Sequence, residues 1–170
     1  MARLYVCSLT KVVDTVRGSG ARSLITILTA GASLARPSEI VPERHLRLAV
    51  SDIEADREGH VLANCEHIEN LLAFAVAWDR REPLVIHCYA GVSRSPAAAF
   101  ILACALAPQR TEAELARELR RASPTATPNR RLVALADRIL SREGRMTAAI
   151  AEIGRGADCY EGAPFALELA

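Results

Sequence analysis

Apolar residues recur along this chain in two rhythms. Three short runs, residues 4–9, 23–28 and 45–50, are dense in Leu, Ile and Val and bounded by polar or turn residues, which predicts strands. A short helix is expected between the first two, over 10–17. From Val61 the period changes: Val61, Cys65, Ile68, Leu72, Ala75 and Trp78 fall on one stripe, so an amphipathic helix is expected over 61–79 with Trp78 in the core. The polar stretch 51–60 before it holds Asp52, Glu54, Asp56 and Glu58 and is long for a connector. After Pro83, residues 84–86 predict a further strand, and the Ala-rich segment 97–107 a helix. Thr111 and Glu114 have capping-box spacing ahead of a helix buried through Leu115, Leu119 and Ala122. Thr127 and Pro128 are expected as cap and first-turn proline of another, with Leu132, Leu135, Ala136 and Ile139 inward. Residues 144–170 are Gly-rich, end in Phe165-Ala166-Leu167-Glu168-Leu169, and are expected as a packed tail on a core of about 3–143. No internal repeat or low-complexity linker interrupts the pattern.

Composition narrows the function. At 170 residues the chain has the length of one domain, 1–170, and one site. Hydrophobic residues make up 51%, and although 31 residues are Ala, enough larger side chains remain for a core, which excludes a disordered chain. A net charge of +1 supplies no global field for nucleic acid or an anionic membrane, so neither is expected as a partner and any anion must be held locally. Lys11 is the sole Lys against 20 Arg, a bias that with the Ala excess suggests a GC-rich bacterial genome. Five scattered cysteines without a CxxC pair argue against a disulfide framework or zinc ribbon and for free thiols in a reducing cytoplasm. No signal-peptide pattern and no 18-residue apolar run is visible, so secretion and membrane spanning are not expected.

The sharpest motif is His87-Cys88-x-x-Gly91-x-x-Arg94-Ser95, set where a strand runs into a helix. Successive backbone N–H groups ending at a helix N-terminus concentrate donors and positive potential, so the amides of Tyr89, Ala90, Gly91, Val92 and Ser93 can bind a tetrahedral oxyanion and favour thiolate at Cys88, the reactive form. Arg94 offers a planar fork for two phosphoryl oxygens, and an Arg at a helix start opposes the dipole unless an anion is present. Gly91 permits a backbone conformation that a Cβ resists. The Ser95 hydroxyl is close enough to donate to the sulfur as it leaves, although Ser95-Pro96 also reads as a helix cap, and His87 is expected to fix the loop rather than transfer protons. Cleaving a phosphate ester through a cysteinyl-phosphate also needs an acid and then a base. The best placed by sequence is Asp52, just after the 45–50 strand, with Asp56 second.

These residues resemble the cysteine-dependent protein tyrosine phosphatase superfamily, most closely its small dual-specificity-like branch: a strand ending in an Asp loop at Asp52, a helix, then the loop from His87 to Ser95 entering a helix. The resemblance is firm over about 45–106. It implies an α/β fold with a central mixed, mostly parallel sheet flanked by helices, a two-step metal-independent mechanism without cofactors, and phosphorylated protein or a small phosphoester as substrate. Asn129, after Pro128, resembles the start of the late helix that supports the loop in that branch. The phosphotyrosine-recognition loop of the large classical enzymes is not recognisable, and the low-molecular-weight branch carries its cysteine near the N-terminus, unlike Cys88.

Other readings compete. A sulfurtransferase or an arsenate-reductase-like enzyme could use the same loop, but the former usually has a shorter Cys-to-Arg spacing and the latter wants partner thiols, which Cys65 and Cys104, expected on buried stripes, do not offer. A non-catalytic phosphate-binding module would normally have lost Cys88, Arg94 or the acid. His45, His60, Cys65 and His67 are expected as structural or surface residues rather than metal ligands. Arg117, Arg120, Arg121, Arg130 and Arg131, interleaved with Glu112, Glu114 and Glu118, are expected as a solvated face. Loop positions Tyr89, Ala90, Val92 and Ser93 add no Lys or His, which disfavours polyanionic inositol phosphates and RNA 5′-triphosphates.

Overall fold

The computed structural model describes residues 2–169. Among them, five strands form one sheet: β1 (Ala2–Cys7), β2 (Ser23–Leu28), β3 (His45–Ala49), β4 (Leu84–His87) and β5 (Phe165–Leu169), in the order β3-β2-β4-β1-β5. The first four are mutually parallel where they pair, and β5 closes the sheet antiparallel to β1. Six helices flank it: α1 (Val12–Ser19), α2 (Cys65–Ala77), α3 (Arg94–Leu106), α4 (Glu112–Ala122), α5 (Arg130–Ile139) and α6 (Arg145–Ile153). This is the mixed, mostly parallel sheet the resemblance implies.

β2 and β4 are buried at every residue, as parallel strands covered on both faces must be. The larger core, with Phe100, Leu102, Ile68, Leu71, Leu119 and Leu135, fills the face beneath α2–α6, and a smaller one built on Val12, Val16, Leu24 and Val85 lies under α1. Helix α3 is buried from Arg94 through Cys104, with Ala97, Ala98, Ala99 and Ala103 letting it sit close to its neighbours. The carboxyl ends of β1, β2, β3 and β4 all point to one edge of the sheet, where open α/β sheets hold their ligands. No helix among the described residues is long and apolar enough to cross a membrane.

Several local expectations are corrected. Strand β1 ends at Cys7, because the amide of Leu9 turns away to the carbonyl of Tyr89 (3.0 Å), and a 3-10 turn (Leu9–Lys11) precedes α1. Helix α2 begins at Cys65, not 61: Val61 is held by Ser51 through both its amide and its carbonyl, and Asn64 with His67 forms a reciprocal cap. The buried stripe is therefore Ile68, Leu71, Ala75 and Trp78, and Cys65 is exposed. Helix α3 starts at Arg94 after Ser93, so Ser95 lies inside the first turn and does not cap it. Helix α5 is capped by Asn129, whose side chain accepts from the Leu132 amide, whereas the Thr127 hydroxyl accepts from the Gly156 amide instead. The tail is more than packing: it contributes α6 and β5. Two arginines leave the solvated face. Arg120 donates to the carbonyls of Ser123, Pro124, Ala126 and Gly154, and Arg131 to that of Ala63.

Candidate functional site

Strand β4 delivers His87 and Cys88 to the sheet edge, and residues 88–94 curl from there into α3. Nearly every carbonyl of this loop is bound from outside. That of Cys88 lies 3.1 Å from His87 Nδ1, that of Tyr89 accepts from Leu9 (3.0 Å), that of Ala90 from Gly162 (2.9 Å), that of Val92 from Thr127 (2.8 Å), and that of Ser93 from Asn129 (3.2 Å) and Ala97 (3.1 Å). Because C=O and N–H point oppositely across a trans peptide, carbonyls turned outward turn the following amides inward, producing a concave nest of donors. Gly91 is required twice over. Its φ is +71°, and a Cβ there would stand 2.8 Å from the backbone carbon of Cys7 and 2.9 Å from the Ser8 nitrogen.

Three side chains complete the nest. Cys88 Sγ lies 3.1 Å from Ser95 Oγ, both buried. Arg94 is 6% exposed; its Nη1 donates to the carbonyl of Val50 (2.9 Å) and to Thr29 Oγ1 (3.3 Å), while the buried Nε has no partner among the described residues. A buried N–H without an acceptor is costly, and here it belongs to the residue best suited to an oxyanion. Behind the loop, burial pushes the His87 imidazole down to about 4, against the opposing effect of its bond to the Cys88 carbonyl.

Asp52 is brought to the same rim. Its Oδ1 accepts from Ser93 Oγ (2.7 Å) and from Asn129 Nδ2 (3.0 Å), so a loop residue and the cap of α5 both hold it. On its other side it lines a cleft of about 430 Å³ with Ser93, Asn129, Arg130, Arg155 and Cys159, which Cys88 and Arg94 do not line. Asp52 and Asp56 are both exposed, but Ser93 and Asn129 hold Asp52 and not Asp56. The structure thus gathers Cys88, Arg94, Ser95, His87, Asp52 and Asn129, and leaves Tyr89 60% exposed at the rim.

Sequence reasoning missed the outer supports. Residues 154–164 pass along the loop, with Gly162 tight against it: a Cβ there would lie 3.1 Å from the Gly91 oxygen. Gly156, whose Cβ would fall 2.5 Å from Thr125, donates to Thr127 Oγ1 (3.0 Å), and Glu161 is held by Ser8 and Thr10. The Gly-rich composition of the tail was the available signal. Thr29 and Thr26, a polar residue inside an apolar strand, were the others. Of the histidines and cysteine weighed as ligands, His67 caps α2, His45 bonds Thr26, and Cys65 is exposed; no cluster suited to a metal occurs among the described residues.

Comparison of the whole chain with protein-family models and with curated proteins finds no match. Solved structures do match. Human DUSP28 superposes with a TM-score of 0.61 at 17% identity, covering 82% of this chain and 94% of that one. The fold is that of the dual-specificity phosphatases. A mouse putative dual-specificity phosphatase complexed with zinc tungstate gives a TM-score of 0.61 at 18% identity over 86% of each chain, and PTPMT1 in complex with PI(5)P gives 0.57 at 16% identity over 82% of this chain and 94% of that one. On this dual-specificity phosphatase fold the nest of residues 88–94 stands at the carboxyl end of β4 and the Asp52 loop follows β3.

Proposed function

We propose that this chain is a phosphomonoester hydrolase of the protein tyrosine or dual-specificity type, acting in the cytoplasm on phosphorylated protein or a small phosphoester. The observation that carries the reading is the nest itself: inward amides, a buried Arg94 with an unpaired Nε, and the Cys88 sulfur beside the Ser95 hydroxyl.

In the first step the Cys88 thiolate attacks phosphorus and the P–O bond to the leaving group breaks. Asp52 gives that oxygen a proton. Both hydrogen bonds to Asp52 fall on Oδ1, which leaves Oδ2 to carry and transfer it. In the second step the Asp52 carboxylate takes a proton from water, the oxygen attacks the cysteinyl-phosphate, and the S–P bond breaks with the Ser95 hydroxyl donating to the departing sulfur. Arg94 and the amides of residues 89–94 follow the phosphoryl charge through both steps. No step calls on a metal. The loop's Tyr89, Ala90, Val92 and Ser93 add no cation beyond Arg94, which supports a substrate with a single phosphoryl group over a polyanion.

Turnover of p-nitrophenyl phosphate in EDTA tests the reading. The wild type is expected to hydrolyse it and Cys88→Ser to fail; equal rates in the two proteins would overturn it.

A further inference from the structure

A line of hydrogen bonds crosses three strands behind the loop. His45 Nε2 on β3 lies 2.8 Å from Thr26 Oγ1 on β2, Thr26 Oγ1 lies 2.8 Å from His87 Nε2 at the end of β4, and His87 Nδ1 lies 3.1 Å from the carbonyl of Cys88. The sheet register makes the contact: Thr26 pairs with His87 across β2 and β4. Thr26 is 4% and His87 0% exposed, so neither exchanges these partners for water.

The chemistry of the end points orients the whole line. A carbonyl only accepts, so His87 Nδ1 carries the proton it shares with Cys88. Burial keeps both imidazoles neutral, down to about 4 in each case, with Arg94 and Arg47 disfavouring charge on His87 and Arg47, His87 and Arg36 on His45. Neutral His87 then presents a bare Nε2, which needs a donor. Thr26 has a single hydroxyl proton and gives it there, so its oxygen accepts from His45 Nε2–H. That leaves His45 Nδ1 as a lone pair, and it is one of two buried side-chain polar atoms without a partner in the described residues. The orphan is then an acceptor rather than an unpaired N–H.

We infer that Thr26 is a positioning residue for the nucleophile: its hydroxyl donates to the bare Nε2 of His87 while accepting from His45, and so stabilises the Nδ1–H tautomer that holds the Cys88 carbonyl outward and the Tyr89 amide inward toward the thiolate. The inference rests on the proposed function for its catalytic meaning, but not for its test. The groups facing Cys88 are Ser95 from α3 and Cys7 from β1, His87 precedes it on β4, Arg94 acts on His87, and Thr26 acts through His87.

The test is nitrogen-15 NMR of the full chain, with peptide-resolved iodoacetamide alkylation of Cys88 at pH 6 and pH 9. The wild type should show His87 as Nδ1–H and His45 as Nε2–H. In Thr26→Val the Nδ1–H state of His87 should be depleted, and alkylation of Cys88 at pH 6 relative to pH 9 should fall about twofold or more, as an amide turned away from the sulfur no longer favours the thiolate. Thr26→Ser, which keeps the hydroxyl, should retain both. A wild-type His87 protonated on Nε2 overturns the inference even if Thr26→Val fails to fold, as does a folded Thr26→Val with wild-type tautomers and ratio. If p-nitrophenyl phosphate turnover depends on Cys88 while Thr26→Val matches the wild type, this inference fails alone. Predicted tautomers and ratios in a chain without turnover would sink the phosphatase reading instead.

Discussion

The side-chain amide of Asn129 stands 3.0 Å from Oδ1 of Asp52, a residue 77 positions earlier in the chain. The same side chain caps α5, its Oδ1 accepting from the Leu132 amide at 3.1 Å. One residue thus ties a helix start to the acidic loop, and its two roles separate by substitution. Asn129→Ser keeps a capping oxygen but loses the donor to Asp52. It should hold stability within about 0.5 kcal/mol of wild type, whereas Asn129→Ala should lose about 1 kcal/mol with the cap. Both should lower kcat for phenyl phosphate by about tenfold, a fraction of what a positioned acid contributes. Urea unfolding and initial rates check the two halves independently.

Removing the acid itself should discriminate by leaving group. Asp52→Ala is expected to lower kcat for phenyl phosphate by about 10²-fold or more, and less for p-nitrophenyl phosphate, whose phenolate departs without a proton. Asp56→Ala should leave both rates near wild type, since Ser93 and Asn129 tie Asp52, not Asp56, to the loop. If Asp56→Ala produced the large loss, the assignment of the acid would be wrong.

Gly91 and Gly20 provide a matched pair, with φ of +71° and +72°. A Cβ at Gly20 meets nothing within 4 Å, but at Gly91 it meets the backbone of Cys7 and Ser8. Gly20→Ala should cost about 1 kcal/mol of stability, the conformational penalty alone. Gly91→Ala must also displace the loop from β1 and should abolish vanadate binding, measured by calorimetry, in whatever fraction folds. Vanadate affinity equal to wild type would mean the loop does not need the approach seen here.

Burial of His87 makes a pH prediction. Its folded-state value of about 4 lies below the ordinary 6.5, so between those limits the unfolded chain binds more protons than the folded one. Stability from this residue is full above pH 6.5 and is lost as pH falls toward 4. From pH 7 to pH 5 the loss is on the order of 2 kcal/mol. Urea unfolding across that window should show the slope in the wild type and a flatter one in His87→Asn; identical slopes would contradict the burial of a neutral imidazole.

Much of this architecture was legible because local chemistry and global packing agree. The runs at 23–28 and 84–86 are apolar apart from Ser23 and Thr26, as doubly covered parallel strands favour, and Thr111 with Glu114 capped α4 as their spacing implied. The loop from His87 to Ser95 stood out because its residue types serve an anion better than they serve a core. Legibility failed where tertiary partners decide. Thr127 looked like a cap until its hydroxyl was claimed by Gly156, and Val61 looked helical until Ser51 bracketed it. β5 was hidden because an edge strand of five residues carries little periodicity by itself, and its partner β1 lies at the other end of the chain. Arg120 read as solvated because four carbonyls converging on one guanidinium leave no trace in sequence.

The central claim is that Cys88 takes the phosphoryl group. The most direct measurement is acid quench of the wild type during turnover of p-nitrophenyl phosphate, followed by peptide mapping of any phosphoryl adduct, with Cys88→Ser in parallel. The account predicts the adduct on the Cys88 peptide of the wild type, and neither adduct nor turnover in Cys88→Ser. A phosphoryl group on another residue, or a Cys88→Ser protein that turns over at the wild-type rate, would contradict it.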